Sequence, residues 1–152
     1  MSGSAQWVPG WSVPTRTRVM TAERMRWYAD ALDTCSHDGD QPVIAPLNIH
    51  TDDEIARANG LPGRVADGMI STNWISTLLA ETFGTAYLIG GSLRTRYVRP
   101  IFEDEHIDVV LRVVSREPGD DGAETLTLDV ACVKADGQVA TGGAATVVLR
   151  PA

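Results

Sequence analysis

A helix that is apolar over most of its circumference cannot lie on a surface, and this chain contains one. Between Val65 and Phe83 the residues Met69, Trp74, Ile75, Leu78, Leu79 and Phe83 spread around the helical wheel instead of keeping to a stripe. Such a helix has to be enclosed. About sixteen residues at 1.5 Å each span roughly 24 Å, the width of about five strands spaced at 4.8 Å. The residues that can enclose it follow directly. Leu93, Thr95 and Tyr97 alternate with Arg94, Arg96 and Val98, and Ile107, Val109, Leu111 and Val113 alternate with Asp108, Val110, Arg112 and Val114. The same period of two runs through Leu126, Leu128, Val130 and Cys132, and through Val139, Thr141, Gly143, Ala145, Val147 and Leu149. This spacing predicts strands. Turn signals separate them at Pro100 to Glu105, at Pro118 to Gly122 and at Ala135-Asp136-Gly137. The expected class is α+β, an antiparallel sheet wrapped around a central buried helix of about 65–83. Gly142-Gly143 inside a strand marks a bulge or the close approach of another backbone or a ligand.

Upstream, Trp7 to Met20 reads as an edge strand. Thr21 is placed to cap a helix whose Met25, Tyr28 and Leu32 share one face. Trp27 and Trp74 are expected in the core. Thr34 to Pro46 carries breaker signals throughout and reads as a long loop. Thr51-Asp52-Asp53-Glu54 has the spacing of a capping box and opens a short helix that stops at Gly60.

A length of 152 residues with 43% apolar content suits one domain, 1–152. The net charge of −7 argues against a nucleic-acid or anionic-membrane partner. No apolar run is long enough to span a bilayer, and the first residues lack the pattern of a signal peptide. Cys35 and Cys132 have no metal spacing, and a reduced, cytoplasmic pair is expected. A GxGxxG loop, a P-loop and a G-x-S-x-G elbow are all missing from the sequence.

Several pieces in a fixed order carry a family resemblance: Asn48-Ile49-His50-Thr51-Asp52, the Ala-rich turn ending in Gly60, Gly63-Arg64-Val65-Ala66-Asp67-Gly68-Met69, Tyr97-Val98-Arg99-Pro100-Ile101-Phe102, and Asp104. From about Arg24 onward the chain resembles the MaoC-like (R-specific enoyl-CoA) hydratase/dehydratase family. The resemblance implies a hotdog fold, a homodimer, and a hydratase/dehydratase-type lyase acting on an acyl thioester of coenzyme A or acyl carrier protein. It implies no metal and no redox cofactor. The family signature is Asp-x-Asn-Pro-x-His before the helix, and His50 matches its His. Ala45 (Pro46 if one residue is skipped) stands where the family has its catalytic Asp. Asp67 stands where the family has a His before the helix glycine.

Hydrating an enoyl thioester, or the reverse, moves a proton at C2, handles a water or hydroxyl at C3, and needs donors aimed at the developing enolate oxygen. The amides of Gly68 and Met69, at a helix start, are the expected donors. His50 is the clear acid/base residue, with a structural bridging role as its alternative. Asp67 is either the cap of the main helix or the carboxylate that replaces the missing one, with Asp38 and Asp40 of the long loop as other sources. His37 and His106 read as solvated residues. Polar groups on an apolar helix either bond back to the preceding turn or line a pocket, and Asn73 and Ser76 are the candidates to line it. Arg94, Arg96 and Arg99 are candidates for the pantetheine phosphate side. The missing Asp leaves two other functions open. One is a specialised-metabolism enzyme using the pocket for another elimination, isomerisation or cyclisation. The other is a non-catalytic acyl-binding or partner hotdog subunit.

Overall fold

The computed structural model describes residues 6–34, 37–38, 41–42 and 47–151. Along them run β1 (Arg16–Val19), α1 (Ala22–Thr34), β2 (His37–Asp38), β3 (Gln41–Pro42), α2 (Asp53–Ala58) and α3 (Gly68–Phe83). These are followed by α4 (Thr85–Leu88), β4 (Ser92–Tyr97), β5 (His106–Pro118), β6 (Glu124–Lys134) and β7 (Val139–Leu149). One five-stranded sheet has the order β1-β5-β6-β7-β4, and its neighbours are all antiparallel. Within the stretch read as loop, β2 and β3 form a separate minimal hairpin.

The period of two sets the inner face of the sheet. Ile107, Val109, Leu111 and Val113 of β5 and Leu126, Leu128, Val130 and Cys132 of β6 are buried. They pack in one core with Ile70, Ile75, Leu78, Leu79 and Phe83 of α3. Each such side chain contributes roughly 1.5–3 kcal/mol by leaving water, so the helix and the curl of the sheet stabilise one another. On β7 the alternation holds for Thr141, Ala145 and Val147. It fails at Val139, which is exposed while Ala140 is buried, because the register against β6 shifts between Cys132 and Val133. At Gly143 the register is unbroken and the close-approach reading holds: a Cβ there would lie 2.0 Å from Arg94 O of β4.

The central helix begins at Gly68, the helix start expected there, three residues inside the outer bound of about 65. Val65 forms a β-bridge with Phe102, and the Ala66 N–H donates to Ile101 O at 2.8 Å. Three expectations need correction. The burial of this helix is less complete than the wheel suggested, since Met69 is 43% exposed. On α1, Met25 is buried and Tyr28 packs against the core, but Trp27 is 61% exposed and Leu32 is exposed as well. Trp74 does pack against the core. Finally, α2 is capped by Asp52, whose Oδ1 accepts the Ile55 N–H at 2.8 Å. Thr51 Oγ1 accepts the Asn48 N–H instead, so the cap sits one residue later than the spacing implied.

Gly84 stops α3 at φ +55, a left-handed conformation that a residue with a Cβ rarely adopts. No helix among the described residues is long and apolar enough to cross a membrane. Cys132 is a free, buried thiol, and Cys35 lies outside the described residues. Burial pushes the Cys132 thiol up to about 12, so it stays protonated and unreactive while the sheet is closed. In a Cys35→Ser protein, a thiol reagent should label Cys132 only on unfolding. Rapid labelling under native conditions would show that β6 opens.

Candidate active site

His50 is placed by a turn that the sequence ties locally. The Asn48 carbonyl accepts the Thr51 and Asp52 N–H groups, and Asn48 Oδ1 accepts the His50 N–H at 2.8 Å. Two clasps then hold this turn against the segment before α3. The Val65 N–H donates to Ile49 O at 3.1 Å, and the Arg64 N–H donates to Asp53 Oδ1 at 2.8 Å. The imidazole Nδ1 lies 2.8 Å from Val65 O. A carbonyl can only accept, so Nδ1 carries the proton and the neutral ring keeps its lone pair on Nε2. A half-buried His with one nitrogen committed to the backbone has a defined tautomer, which a general base needs.

The Asp53 clasp is electrostatic as well as geometric. The Arg64 backbone N–H holds the Asp53 carboxyl below the ordinary aspartate range, with the Arg64 charge helping. A lowered folded value stabilises the fold above the unfolded value, and that stabilisation is lost as the pH falls through the folded one. Asp53→Asn should therefore lower the melting temperature at neutral pH and have no effect in strong acid, where wild-type Asp53 is also protonated. Equal losses at both pH values would assign the effect to shape, not charge.

Asp67 caps α3, with Oδ1 accepting the Met69 N–H at 2.8 Å. That bond alters the expected oxyanion site, because the Met69 amide is already taken. The Gly68 N–H has no partner among the described residues and sits at the positive end of a 16-residue helix. Asp67 Oδ2 likewise has no hydrogen-bond partner there. The Tyr97 ring lies over the first turn, and a Cβ on Gly68 would meet it at 2.7 Å. The space above the Gly68 Cα is thus filled by an aromatic ring. The Tyr97 hydroxyl donates to Met69 Sδ at 3.1 Å and lies 3.0 Å from Thr72 Oγ1. From α1, Tyr28 approaches the same corner. Burial raises its phenol most, followed by the charge of Asp67 and then Tyr97, so it remains protonated beside the carboxylate.

These residues line one cleft of about 520 Å³. His50, Asp67, Gly68, Ser71, Tyr97, Arg99 and Thr141 face it along with an apolar wall that includes Leu61, Val65 and Ile101. Ser71 Oγ donates to Gly68 O at 2.7 Å, and Thr141 completes the buried pair at 2.7 Å. Thr141 and Tyr97 were not anticipated as site residues, although a polar residue on the inward phase of an otherwise apolar strand was a signal for Thr141.

Asn73 and Ser76 lie away from the cleft. Asn73 is exposed, and Ser76 Oγ is 3.1 Å from the Tyr87 hydroxyl of α4. At about 100° per residue they point roughly 200° and 140° away from Ser71. Arg94 and Arg96 are exposed on β4, while Arg99 sits at the cleft with Nη1 donating to Val139 O at 3.1 Å. His106 is exposed at the start of β5. Ala45, Pro46 and Asp40 lie outside the described residues, as do the side chains of His37 and Asp38. A second concavity of about 590 Å³, at Trp7, Ile89 and Arg150, includes only Glu124 as a candidate acid/base. That carboxylate is committed to Arg116.

The sequence profile described as "MaoC like domain" matches residues 46–134. No curated protein matches the chain significantly. Among solved structures, the unliganded R-hydratase PhaJ1 from Pseudomonas aeruginosa superposes with a TM-score of 0.70 at 19% identity, over 97% of this chain and 84% of that one. The MaoC-like dehydratase from Rhodospirillum rubrum gives 0.75 at 19% identity, over 98% of each chain. The truncated HadBC (3R-hydroxyacyl-ACP dehydratase) complex from Mycobacterium tuberculosis gives 0.64 at 18% identity, over 93% of this chain and 96% of that one. At such identities the likeness shows the shared architecture, which is the α+β hotdog fold expected from the sequence.

Proposed function

Because the chain belongs to the MaoC-like domain family, we propose that it is a hydratase/dehydratase-type lyase acting on an acyl thioester of coenzyme A or acyl carrier protein. The observation that carries this reading is His50, fixed through Nδ1 to Val65 O with Nε2 left as a base in the cleft. In this scheme the thioester carbonyl accepts the Gly68 N–H, which stabilises negative charge as it develops on that oxygen. In dehydration His50 Nε2 takes the C2 proton and returns it to the C3 hydroxyl, which leaves as water. In hydration Nε2 takes a proton from the water and delivers it to C2. Asp67 Oδ2, unused by the cap, holds the water that adds to C3 or the hydroxyl that leaves it, in place of the family carboxylate replaced by Ala45. Arg94, Arg96 and Arg99 have no acidic partner among the described residues, although the chain carries a net charge of −7. They suit a phosphate-bearing arm entering beside β4.

We also read the protein as a single domain of residues 1–152, working in the cytoplasm and paired with a second copy. The outer edge of β4 has no strand beside it among the described residues, and open edges are normally covered. The same edge supports a second reading, in which a partner hotdog subunit docks there and supplies the missing carboxylate.

The test is to follow loss of enoyl absorbance with crotonyl-CoA and longer trans-2-enoyl-CoA substrates, using wild type and Asp67→Asn. Asn still accepts the Met69 N–H, so the helix cap survives while the carboxylate is removed. The expected result is wild-type turnover that falls about 100-fold or more in Asp67→Asn. Undiminished turnover in Asp67→Asn would reduce Asp67 to a cap. No wild-type turnover with coenzyme A or carrier-linked enoyl thioesters would overturn the hydratase reading and favour the partner subunit.

A further inference from the structure

We propose that Glu105, braced by Lys134, is a positioning residue that sets the tautomer of His50 from the far side of the β4–β5 connection. The inference rests on His50 being the base, and it follows a chain of contacts through the backbone. Lys134 Nζ, at the end of β6, donates to Glu105 Oε1 at 2.8 Å. The other oxygen, Oε2, accepts the Phe102 N–H at 2.9 Å. Phe102 forms the antiparallel bridge to Val65, and the neighbouring Ile101 carbonyl accepts the Ala66 N–H at 2.8 Å. Val65 O in turn receives the His50 Nδ1 proton at 2.8 Å. The direction of that carbonyl is what commits the imidazole proton to Nδ1.

Two features separate this pair from an ordinary surface ion pair. The Lys134 side chain is 14% exposed, against 51% for Arg16 in the Arg16–Glu81 pair. It is therefore screened less than pairs that contribute little, and its ammonium also sits 5.5 Å from the centre of the Phe102 ring. The turn it closes is also under strain. Asp104 has φ +63, a conformation awkward for a residue with a Cβ. A turn of that kind keeps its shape only when its ends are held. Here the Glu105 side chain reaches back to the first N–H of the turn, while the Met20 N–H holds the Glu105 carbonyl at 2.9 Å.

Both Glu105 oxygens serve a donor, so Glu105→Gln, with one acceptor oxygen, must abandon either Phe102 or Lys134. Lys134→Met leaves the carboxylate without its cation. The experiment is histidine-selective nitrogen NMR on the full chain, with the His50 signals assigned by their loss in His50→Asn. Wild type should show Nδ1 as the protonated nitrogen. In each variant the share of the Nε2–H tautomer should rise to about half or more, with unchanged circular dichroism. On whichever substrate is turned over, kcat should fall about 10-fold at constant KM, the pattern of a lost transition-state contribution. Glu81→Gln, which removes the ion pair with Arg16, should leave the tautomer alone. The proposal is overturned if wild-type His50 is protonated at Nε2, if the folded variants keep Nδ1–H entirely, or if Glu81→Gln shifts it equally. Should enoyl thioesters prove not to be substrates, the NMR result still decides this question separately.

Discussion

Turnover in His50→Asn should fall about 10²–10⁴-fold, the usual contribution of a positioned acid/base, while the melting temperature stays near that of wild type. The choice of Asn separates the two roles open to this residue. Its side-chain N–H₂ occupies the place of the imidazole Nδ1 and can still donate to Val65 O, which in wild type lies 2.8 Å from the ring. The clasp between the turn at 48–52 and the segment before α3 therefore persists. The only loss is the lone pair of Nε2. If His50 acts solely as a bridge, His50→Asn will be nearly as active as wild type and His50→Ala will be unstable. If it is the base, both variants are inactive and only His50→Ala is measurably less stable, by about 1 kcal/mol for a lost hydrogen bond.

Gly143→Ala is expected to be the most damaging single methyl in the sheet. The added Cβ would lie 2.0 Å from Arg94 O and 3.0 Å from both Arg94 C and Thr95 Cα. All three are backbone atoms, so no rotamer change relieves the overlap. Thr95 pairs with Gly143 and Arg94 with Ala144, so relief means lifting β4 off β7. Overpacking of this kind costs about 3 kcal/mol, and for a chain of this length that lowers Tm by roughly 6–12 °C. The lifted strand also carries Tyr97, whose ring covers Gly68, so the wall of the cleft should open and turnover should fall with stability. A neighbouring change, Gly142→Ala, meets only the Val139 side chain at 3.3 Å and should be mild by comparison. Equal tolerance of the two substitutions would mean that the close packing of β4 on β7 does not exist in solution.

Much of this fold was legible in residue order because its signals are local or periodic. The inward phase of β5 and β6 follows from alternation alone, since successive side chains on a strand point to opposite faces. The burial of Ile75, Leu78 and Leu79 follows from an apolar stretch too broad for a surface helix. The Gly142-Gly143 pair marked a bulge or a close approach, and the contact with β4 decides for the close approach at Gly143. His50 and Asp67 were singled out by the family resemblance, beside a capped turn and at a helix start, and both line one cleft.

The remainder depended on contacts between residues distant in sequence. Thr51 and Asp52 are equally plausible caps by type, and the choice fell to Asp52 because the Asn48 N–H engages the Thr51 hydroxyl. Leu32 shares the helical face of Met25 and Tyr28, and Trp27 is a large apolar residue, yet both are exposed among the described residues. The Met69 amide was lost to the Asp67 carboxylate, while Gly68 kept its own N–H and gained the Tyr97 ring from a strand about thirty residues away. Composition and periodicity therefore determined that a sheet encloses a helix and roughly which residues face inward. Only the tertiary structure decided which carbonyl meets His50. That carbonyl belongs to Val65, and its direction is set by pairing with Phe102, a contact across 37 positions that no local preference encodes.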